Sequence, residues 1–485
     1  MTLTENDVPA ESSDGLRRAV RLLLLLSRID FTPAQKELAK EEVQSFSAWK
    51  LFSSLAVRHG VAALVWQNIT DLGLAGSVPE TEKTLMEGLR FKSIARVSWI
   101  TEAAAGVTSL LEQEGIRVVL LKGLALEQTV YGSRGLRQMS DADLLVAPSD
   151  ALKARDILVR NGFRSMPLKS SLYRHIILDL GNHLPELHRG GISVDLHYRL
   201  FGPEGEEMVV KAIEESEIIN RIPAESKWVG KSAEGSGKAS KPAEGSGMAS
   251  KSAEVSGKVS NSAEGSGMVS NSAERSEIVS SEADGSGSGK DSGKISAFPG
   301  SGSSFFRVLP PITSFLALVS HIYKHEIKGE FQLRLWTDIY LLLERYGERI
   351  MVPGLPAAAE KAGIAAETRI VLTVMEQVWG VVIPETMRAQ PGEEQAKADR
   401  FLTDLAHPGA VESISQRAMF KRNLYGLRST RKKMIFIIGD VFPSLGFMRK
   451  RYGCRSSLFA AFYYPHRLGK LFWILGLLRA ANRED

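Results

Sequence analysis

The tract between residues 225 and 304 constrains every fold this chain can adopt. Within it Lys231-Ser-Ala-Glu-Gly-Ser-Gly-Lys-Ala-Ser240 recurs with small changes as far as Asn271-Ser-Ala-Glu-Arg275. Gly, Ser, Ala and Lys cannot bury a face, so nothing offsets the entropy lost in ordering them. A solenoid would require a repeating apolar position that packs on its neighbours, and these residues do not supply one. The expectation is a disordered, near-neutral linker inserted into a fold that closes without it. Its flanks show where. Ile218-Ile-Asn-Arg-Ile222 and Phe305-Phe-Arg-Val-Leu309 are short and strand-like, and are expected to pair as a hairpin whose tip has expanded into the repeat.

The chemistry-bearing stretch lies upstream. Ser140-Asp-Ala-Asp-Leu-Leu-Val146 places Asp141 and Asp143 at alternate positions as an apolar strand begins. Side chains two apart share a face of a strand, so the two acids project together while Leu144, Leu145 and Val146 enter a core. Their repulsion demands compensation, which a hard divalent cation such as Mg²⁺ supplies well. A lone Asp-x-Asp pair also serves as a turn or a helix cap, so its surroundings matter. Before it, Gly115-Ile-Arg-Val-Val-Leu-Leu-Lys-Gly123 reads as a buried strand, with a short helix expected from Leu124 to Val130. Such a junction presents backbone N–H groups, with the Lys122 ammonium, to a phosphate. After it, His183-Leu-Pro-Glu-Leu-His188, the turn Arg189-Gly-Gly191 and Ile192-Ser-Val-Asp-Leu-His-Tyr198 form an expected hairpin. In its second strand Val194, Leu196 and Tyr198 alternate with Asp195 and His197, so a third carboxylate can join the first two.

The string Leu121-Lys-Gly-Leu-Ala, Tyr131, Arg137, Ser140 to Val146 and Val194-Asp-Leu-His-Tyr198 resembles the uncharacterised nucleotidyltransferase family, a branch of the polymerase-β-like superfamily. The resemblance implies a small mixed sheet whose central strands carry three metal-binding acids. It makes Asp141 and Asp143 the paired metal ligands and Asp195 the third, also serving as general base, with Mg²⁺ (or Mn²⁺) as cofactor. The family usually has Glu where this chain has Asp195. The superfamily's Gly-Ser before the acid pair is replaced here by Lys122-Gly123, with Gly132-Ser133 as a second candidate. The segments His321-Ile-Tyr-Lys-His325, Leu333-Arg-Leu-Trp-Thr-Asp-Ile339, Phe442-Pro-Ser444 and Arg451-Tyr452 also resemble the family's helical part.

Other groups admit two readings. His321 and His325 share a helix face at a chelating spacing, but Ile322 stands where a zinc-protease motif needs Glu, so structural or cleft-wall histidines are favoured. Arg334 and Asp338 lie one helical turn apart, an intrahelical ion pair unless Arg334 faces a triphosphate. Arg137 and Arg134 either neutralise the acids structurally or contact the transferring phosphate, and His197 orients the base or the acceptor. Tyr131 closes the turn, and Trp49 and Trp66 sit at helical spacing as core residues.

The chain has 485 residues, one cysteine and a net charge of +5. It is long enough for a sizeable core, and no intramolecular disulfide is available. Glu5, Glu11 and Asp14 precede the apolar run Arg21 to Leu26 and no small-residue cleavage site follows, so neither a secretory signal nor a location outside the cytoplasm is expected. Met434–Phe442 and Leu471–Ala480 fall short of the ~20 residues a spanning helix needs. The flanking Arg431-Lys432-Lys433 and Arg449-Lys450-Arg451 read as a solvated basic face, a cleft wall, or a contact for acidic lipid or nucleic acid.

The expected architecture is α+β: a frayed terminus (1–15), a helical region (16–114), a nucleotidyltransferase core (115–224), the disordered insertion (225–304) and a C-terminal helical domain (305–485). The expected activity is metal-dependent transfer of a nucleoside monophosphate from a nucleoside triphosphate to a hydroxyl acceptor. That acceptor is a small molecule, a peptide or a protein, with Asp141, Asp143 and Asp195 catalytic and Lys122, Gly123, Arg137, His197 and Arg334 binding phosphate or substrate. The alternatives are an inactive nucleotide- or partner-binding module of the same fold, and an enzyme adding nucleotides to RNA ends. The last is permitted by the basic C-terminal segment, but no RNA-binding module is recognisable.

Overall fold

The computed structural model describes residues 12–202, 206–222, 302–407, 413–454 and 456–469. Residues 1–11, the repeat tract up to residue 301 and Leu471–Ala480 lie outside the described residues. Helices come first: α1 (Ser12–Leu26), α2 (Pro33–Gln44), α3 (Trp49–Arg58), α4 (Ala62–Asp71) and the 34-residue α5 (Glu80–Gln113). Local chemistry explains the entry to α2, where the Thr32 hydroxyl accepts from Gln35 N–H, the Gln35 side chain answers at Thr32 N–H, and Pro33 opens the first turn. Trp49 and Trp66 are buried in the core, as their spacing predicts.

The α+β fold is built on a mixed sheet of β1 (Val119–Leu120), β2 (Asp141–Leu145), β3 (Arg164–Ser165), β4 (Leu187–Arg189), β5 (Ile192–His197), β6 (Glu217–Asn220) and β7 (Phe305–Val308). Their order is β3-β4-β5-β2-β1-β7-β6. β2 runs parallel to β5 and β1 parallel to β7, while the other neighbouring pairs are antiparallel. Between strands lie α6 (Lys122–Thr129), α7 (Ala151–Arg160) and α8 (Glu206–Glu214).

Two expectations about these elements change. The strand read over Gly115 to Gly123 contracts to Val119–Leu120, and the helix after it starts at Lys122 instead of Leu124. The cause is Lys122 itself, whose φ of +48° turns the chain out of the sheet after Leu121 N–H has bonded Asp143 C=O. The hairpin partner expected from His183 to His188 is a strand only over Leu187–Arg189, with one bridge between His183 and His197. Pro185 lies between them and has no N–H to donate to a ladder.

After β7 the chain is helical: α9 (Pro311–Glu326), α10 (Leu333–Ile350), α11 (Leu355–Lys361), α12 (Ala365–Trp379), α13 (Glu393–Asp399), α14 (Phe401–Ala406), α15 (Gln416–Tyr425), α16 (Thr430–Val441), α17 (Leu445–Arg451) and α18 (Ser457–Ala461). The two faces of the sheet meet different partners. Leu144, Val194 and Leu196 pack with Ile100, Val107 and Leu111 of α5 and Ile157 of α7. On the other side Val119, Leu121 and Leu145 join a core that also holds Leu22 and Leu23 of α1, Trp336 and Leu341 of α10 and Phe401 of α14. The N-terminal and C-terminal helices therefore share one core over the sheet. His59 ties them further, with a ring nitrogen 2.9 Å from Leu405 C=O. A smaller core of Tyr173, Ile176, Leu427 and Phe436 seats α16 on the loop after β3. Among the described residues, no helix is long and apolar enough to cross a membrane.

The strands flanking the repeat tract pair as their sequences predict: Ile218 lies opposite Arg307 and Asn220 opposite Phe305. Past the last pair, Arg221 N–H donates to Ser304 C=O at 3.0 Å, so the chain ends leaving the hairpin are already together. Closing a loop costs entropy that grows slowly with its length. Deleting residues 225–301 is expected to leave the circular dichroism spectrum unchanged and to shift unfolding stability by no more than about +2 kcal/mol. Loss of soluble protein or a large destabilisation in urea titration counts against the insertion reading.

Candidate active site

The parallel register of β2 and β5 builds the site. It sets Asp141 opposite Ser193, Asp143 opposite Asp195 and Leu145 opposite His197, all facing one side of the sheet. Ligand atoms of Asp143, Asp195 and His197 lie within 4.8 Å of one another, and all three residues are buried. Asp141 is at the mouth, half-buried at the first position of β2, and accepts from the Ser140 hydroxyl at 3.1 Å. A fourth acid, Glu186, was not singled out by sequence reasoning. It is buried just before β4, accepts from the Ser193 hydroxyl at 3.4 Å and adds its charge to the field on Asp195. The sequence signal for it was its place opposite the Asp195 strand, which Pro185 obscured.

Lys122 answers part of this charge. Its Nζ lies 2.7 Å from Asp143 Oδ1 and 3.3 Å from His197 Nε2, and His197 Nε2 is 2.9 Å from the same Asp143 oxygen. Burial would raise the Asp143 carboxyl, but Lys122 and then His197 hold it well below the usual carboxylate range. Burial and the neighbouring Lys122 push His197 down to about 3, so its imidazole is neutral. Asp195 goes the other way: burial first, then the like charges of Asp141, Asp143 and Glu186, drive it well above the ordinary value. Its Oδ1 is buried and has no hydrogen-bond partner among the described residues. An orphaned carboxylate oxygen beside two more acids, with one lysine committed to only one of them, is a donor set that fits a divalent cation. The left-handed backbone at Lys122 costs a β-carbon residue about 1 kcal/mol, and it aims the ammonium at Asp143.

Helix α9 covers the site with further cations. Lys324 Nζ makes one hydrogen bond, to Leu200 C=O at 3.3 Å. Burial, followed by the like charges of Lys122, Arg422 and Lys328, lowers it to about 7. His321 is likewise pushed well down by burial and by Lys122. The ring of His325 lies edge-on to His321 at 4.6 Å, and its Nδ1 is 2.6 Å from Glu330 Oε2. Among the described residues the histidine pair belongs to no group of three or more side chains placed to hold a metal. Lys324 lay inside the quoted His321–His325 segment, but spacing alone did not mark it. A cavity of 630 Å³ beyond α9, lined by Tyr323, Glu326, Trp336 and Phe401, includes none of the site's acids.

Arg334 does not pair with Asp338 as the helical spacing suggests, and the ion pair of Arg137 is with Asp338 and not with Asp141 or Asp143. Asp338 accepts from Arg137 Nη2 at 2.8 Å, from Arg137 Nε at 3.2 Å and from the Tyr131 hydroxyl at 2.9 Å. Asp338 is therefore not the intrahelical partner of Arg334, because the fully buried carboxylate is already spent on the loop before β2. Tyr131 closes that loop through the same acid. Glu127 fixes its backbone, accepting from Gly135 N–H at 2.6 Å and Arg137 N–H at 3.2 Å, and burial pushes it up to about 7. Gly123 makes room for Arg137: a Cβ there would lie 2.1 Å from Nη1. Arg334 donates instead to Gln138 C=O and Gln332 Oε1, while its buried Nε has no partner. Burial, and then Arg137, lower Arg334 to about 10, with Asp338 and Asp141 opposing.

Removing one member of a buried ion pair leaves the other uncompensated. Asp338→Ala is expected to destabilise the protein by about 3–5 kcal/mol in urea unfolding. A loss under about 1 kcal/mol would show that Arg137 is not held there in solution.

No curated protein and no solved structure matches the chain. A family model does match, and it stops before α9, so it takes in the acids, Lys122 and His197 but neither Lys324 nor Arg334. Residues 46–222 match the family described as uncharacterised nucleotidyltransferase.

Proposed function

We propose that this protein transfers a nucleoside monophosphate from a nucleoside triphosphate to a hydroxyl acceptor. The observation that carries the reading is the in-register pair Asp143 and Asp195, with Asp141 at its mouth and Asp195 Oδ1 left without a partner. Asp141, Asp143 and Asp195 would hold a divalent cation, Mg²⁺ or Mn²⁺, which would supply positive charge toward the reacting phosphate. Asp195, ionised once that cation offsets the like charges around it, would take the proton of the acceptor hydroxyl. The acceptor oxygen bonds to the α-phosphorus, the bond to the bridging oxygen breaks, and pyrophosphate leaves with that electron pair. Lys122, Lys324 and Arg334 bind the phosphates, and the backbone around Gly123 shapes the floor. His197, neutral and buried, holds Asp143 in place. Arg137 acts through Asp338, as a positioning residue for the loop that delivers the acids.

A second reading rests on one contact. The Lys122 ammonium at 2.7 Å from Asp143 already supplies a resident cation, as an inactive nucleotide-binding module would keep it. Incubation with each α-labelled nucleoside triphosphate and Mg²⁺ in a cell lysate separates the two. Label transfer that is lost in Asp195→Asn and Asp141→Ala, by about a thousandfold or more, supports the enzyme. Metal-dependent nucleotide binding without pyrophosphate release supports the module, and transfer retained by Asp141→Ala overturns the metal assignment.

Lys324 gives an independent pH test. With its ordinary value lowered to about 7, it is largely neutral in the free protein at pH 8 and regains its proton beside a triphosphate. Nucleotide affinity is then expected to fall as pH rises through 7 to 9. Titration calorimetry in buffers of different ionisation enthalpy should show uptake of close to one proton at pH 8, and Lys324→Met should abolish it. Binding heats independent of buffer would remove Lys324 from the phosphate site.

A further inference from the structure

The C-terminal helices carry a surface that the transfer reaction does not use. Residues 413–469 contain twelve lysines and arginines and a single acid, Asp440. Because the whole chain is only +5, the rest of it is net acidic. Asp440 is itself consumed internally, paired with Lys169 and Arg467. Lys432 pairs with Asp179, whereas Arg431, Arg449 and Arg451 stand exposed.

The same helices leave large apolar side chains in water. Leu458 is 74% exposed, Phe459 64% and Phe462 73%. On α16, Met434 and Ile438 lie one helical turn apart and are exposed, as are Phe442 just past its end and Leu445 at the start of α17. The elements are tied together. Tyr452 stacks on Tyr463 with ring centroids 4.1 Å apart, Phe442 meets Tyr464 at 5.8 Å, and the Tyr464 hydroxyl donates to Pro443 C=O at 2.5 Å. Single exposed apolar residues need no explanation, but a contiguous group does.

We propose that α16–α18 form a docking surface for an anionic lipid bilayer, with Leu458, Phe459 and Phe462 entering the headgroup boundary and the surrounding arginines holding acidic headgroups. The composition selects this occupant. Basic residues around exposed aromatic and aliphatic side chains are what an interfacial membrane surface requires. Single-stranded RNA would use the positive charge and the phenylalanines, but Leu458, Ile438, Met434 and Leu445 offer no ring for a base to stack on. A protein partner would have to be strongly acidic and apolar at once. None of these residues belongs to the acid cluster of the active site, so the proposal stands or falls independently of the transfer reaction.

Vesicle co-sedimentation of the full chain tests it. Binding is expected to phosphatidylcholine vesicles containing phosphatidylglycerol and not to phosphatidylcholine alone, and to weaken sharply when salt is raised. Phe459→Ser/Phe462→Ser and Arg449→Glu/Arg451→Glu are each expected to lower binding about tenfold or more, with circular dichroism and thermal midpoint unchanged. These residues are exposed, so loss of fold is distinguishable from loss of docking. No sedimentation with anionic vesicles, or unchanged binding by both variants, overturns the proposal. So does RNA retardation that depends on the same residues without vesicle binding. If vesicles bind only after residues 470–485 are removed, the chain's own end is the occupant and the proposal falls.

Discussion

Two parallel strands in register hold Asp143 directly beside Asp195, where their like charges repel. A shift of β2 by one residue would turn both Asp141 and Asp143 into the α5 core and bring Ala142 and Leu144 out, so the hydrophobic pattern enforces the juxtaposition. Relief reaches Asp143 directly, through Lys122 and through His197 on β5. The result is two acids of opposite character at one place: Asp143 held ionised, Asp195 driven toward its protonated form with an oxygen unsatisfied. A polar cluster this incomplete is expensive to bury, and such costs persist where a ligand repays them.

The helices contribute by holding the connector between Lys122 and Asp141, which has no strand or long helix of its own. Arg137 and Tyr131 converge on Asp338, Glu127 receives two backbone N–H groups, and Gly123 leaves the guanidinium room to pass. A buried ion pair adds little net stability over an apolar contact, but it specifies one arrangement. Here it couples α10 to the approach of the metal-site acids. Because α1, α10 and α14 share one core, that coupling extends to the N-terminal helices. β2 and β5 are thus positioned by chain segments on both sides of the repeat tract.

Period-two alternation made the shared face of Asp141, Asp143, Asp195 and His197 legible in the sequence, because strand geometry leaves no other arrangement. The β6–β7 pairing was legible for a similar reason: two short β-branched and aromatic runs bracket a tract that cannot fold. Three-dimensional encounters were not legible. The Arg334–Asp338 spacing obeyed the helical rule, yet Asp338 is taken by Arg137, a residue far away in sequence whose approach no local pattern encodes. Lys324 looked like one more charge on an amphipathic helix. Its significance comes from Lys122, Lys328 and Arg422 around it and from Leu200 as its lone acceptor. The strand before Lys122 was overestimated because its apolar run continues past the left-handed turn that ends it.

The Lys122 contact bears on how the site would open. An ammonium 2.7 Å from Asp143 and a divalent cation on the same carboxylate compete for one oxygen, so loading the metal must loosen that ion pair. A released Lys122 lies at the first turn of α6, beside Lys324 across the cleft, where both would meet the same phosphates. Without the metal, the lysine neutralises an acid. With the metal, the acid is neutralised otherwise and the lysine becomes available to an anion. Metal and triphosphate would then favour each other's binding through one side chain. That coupling follows from the one carboxylate oxygen of Asp143 for which Lys122 and the cation would compete.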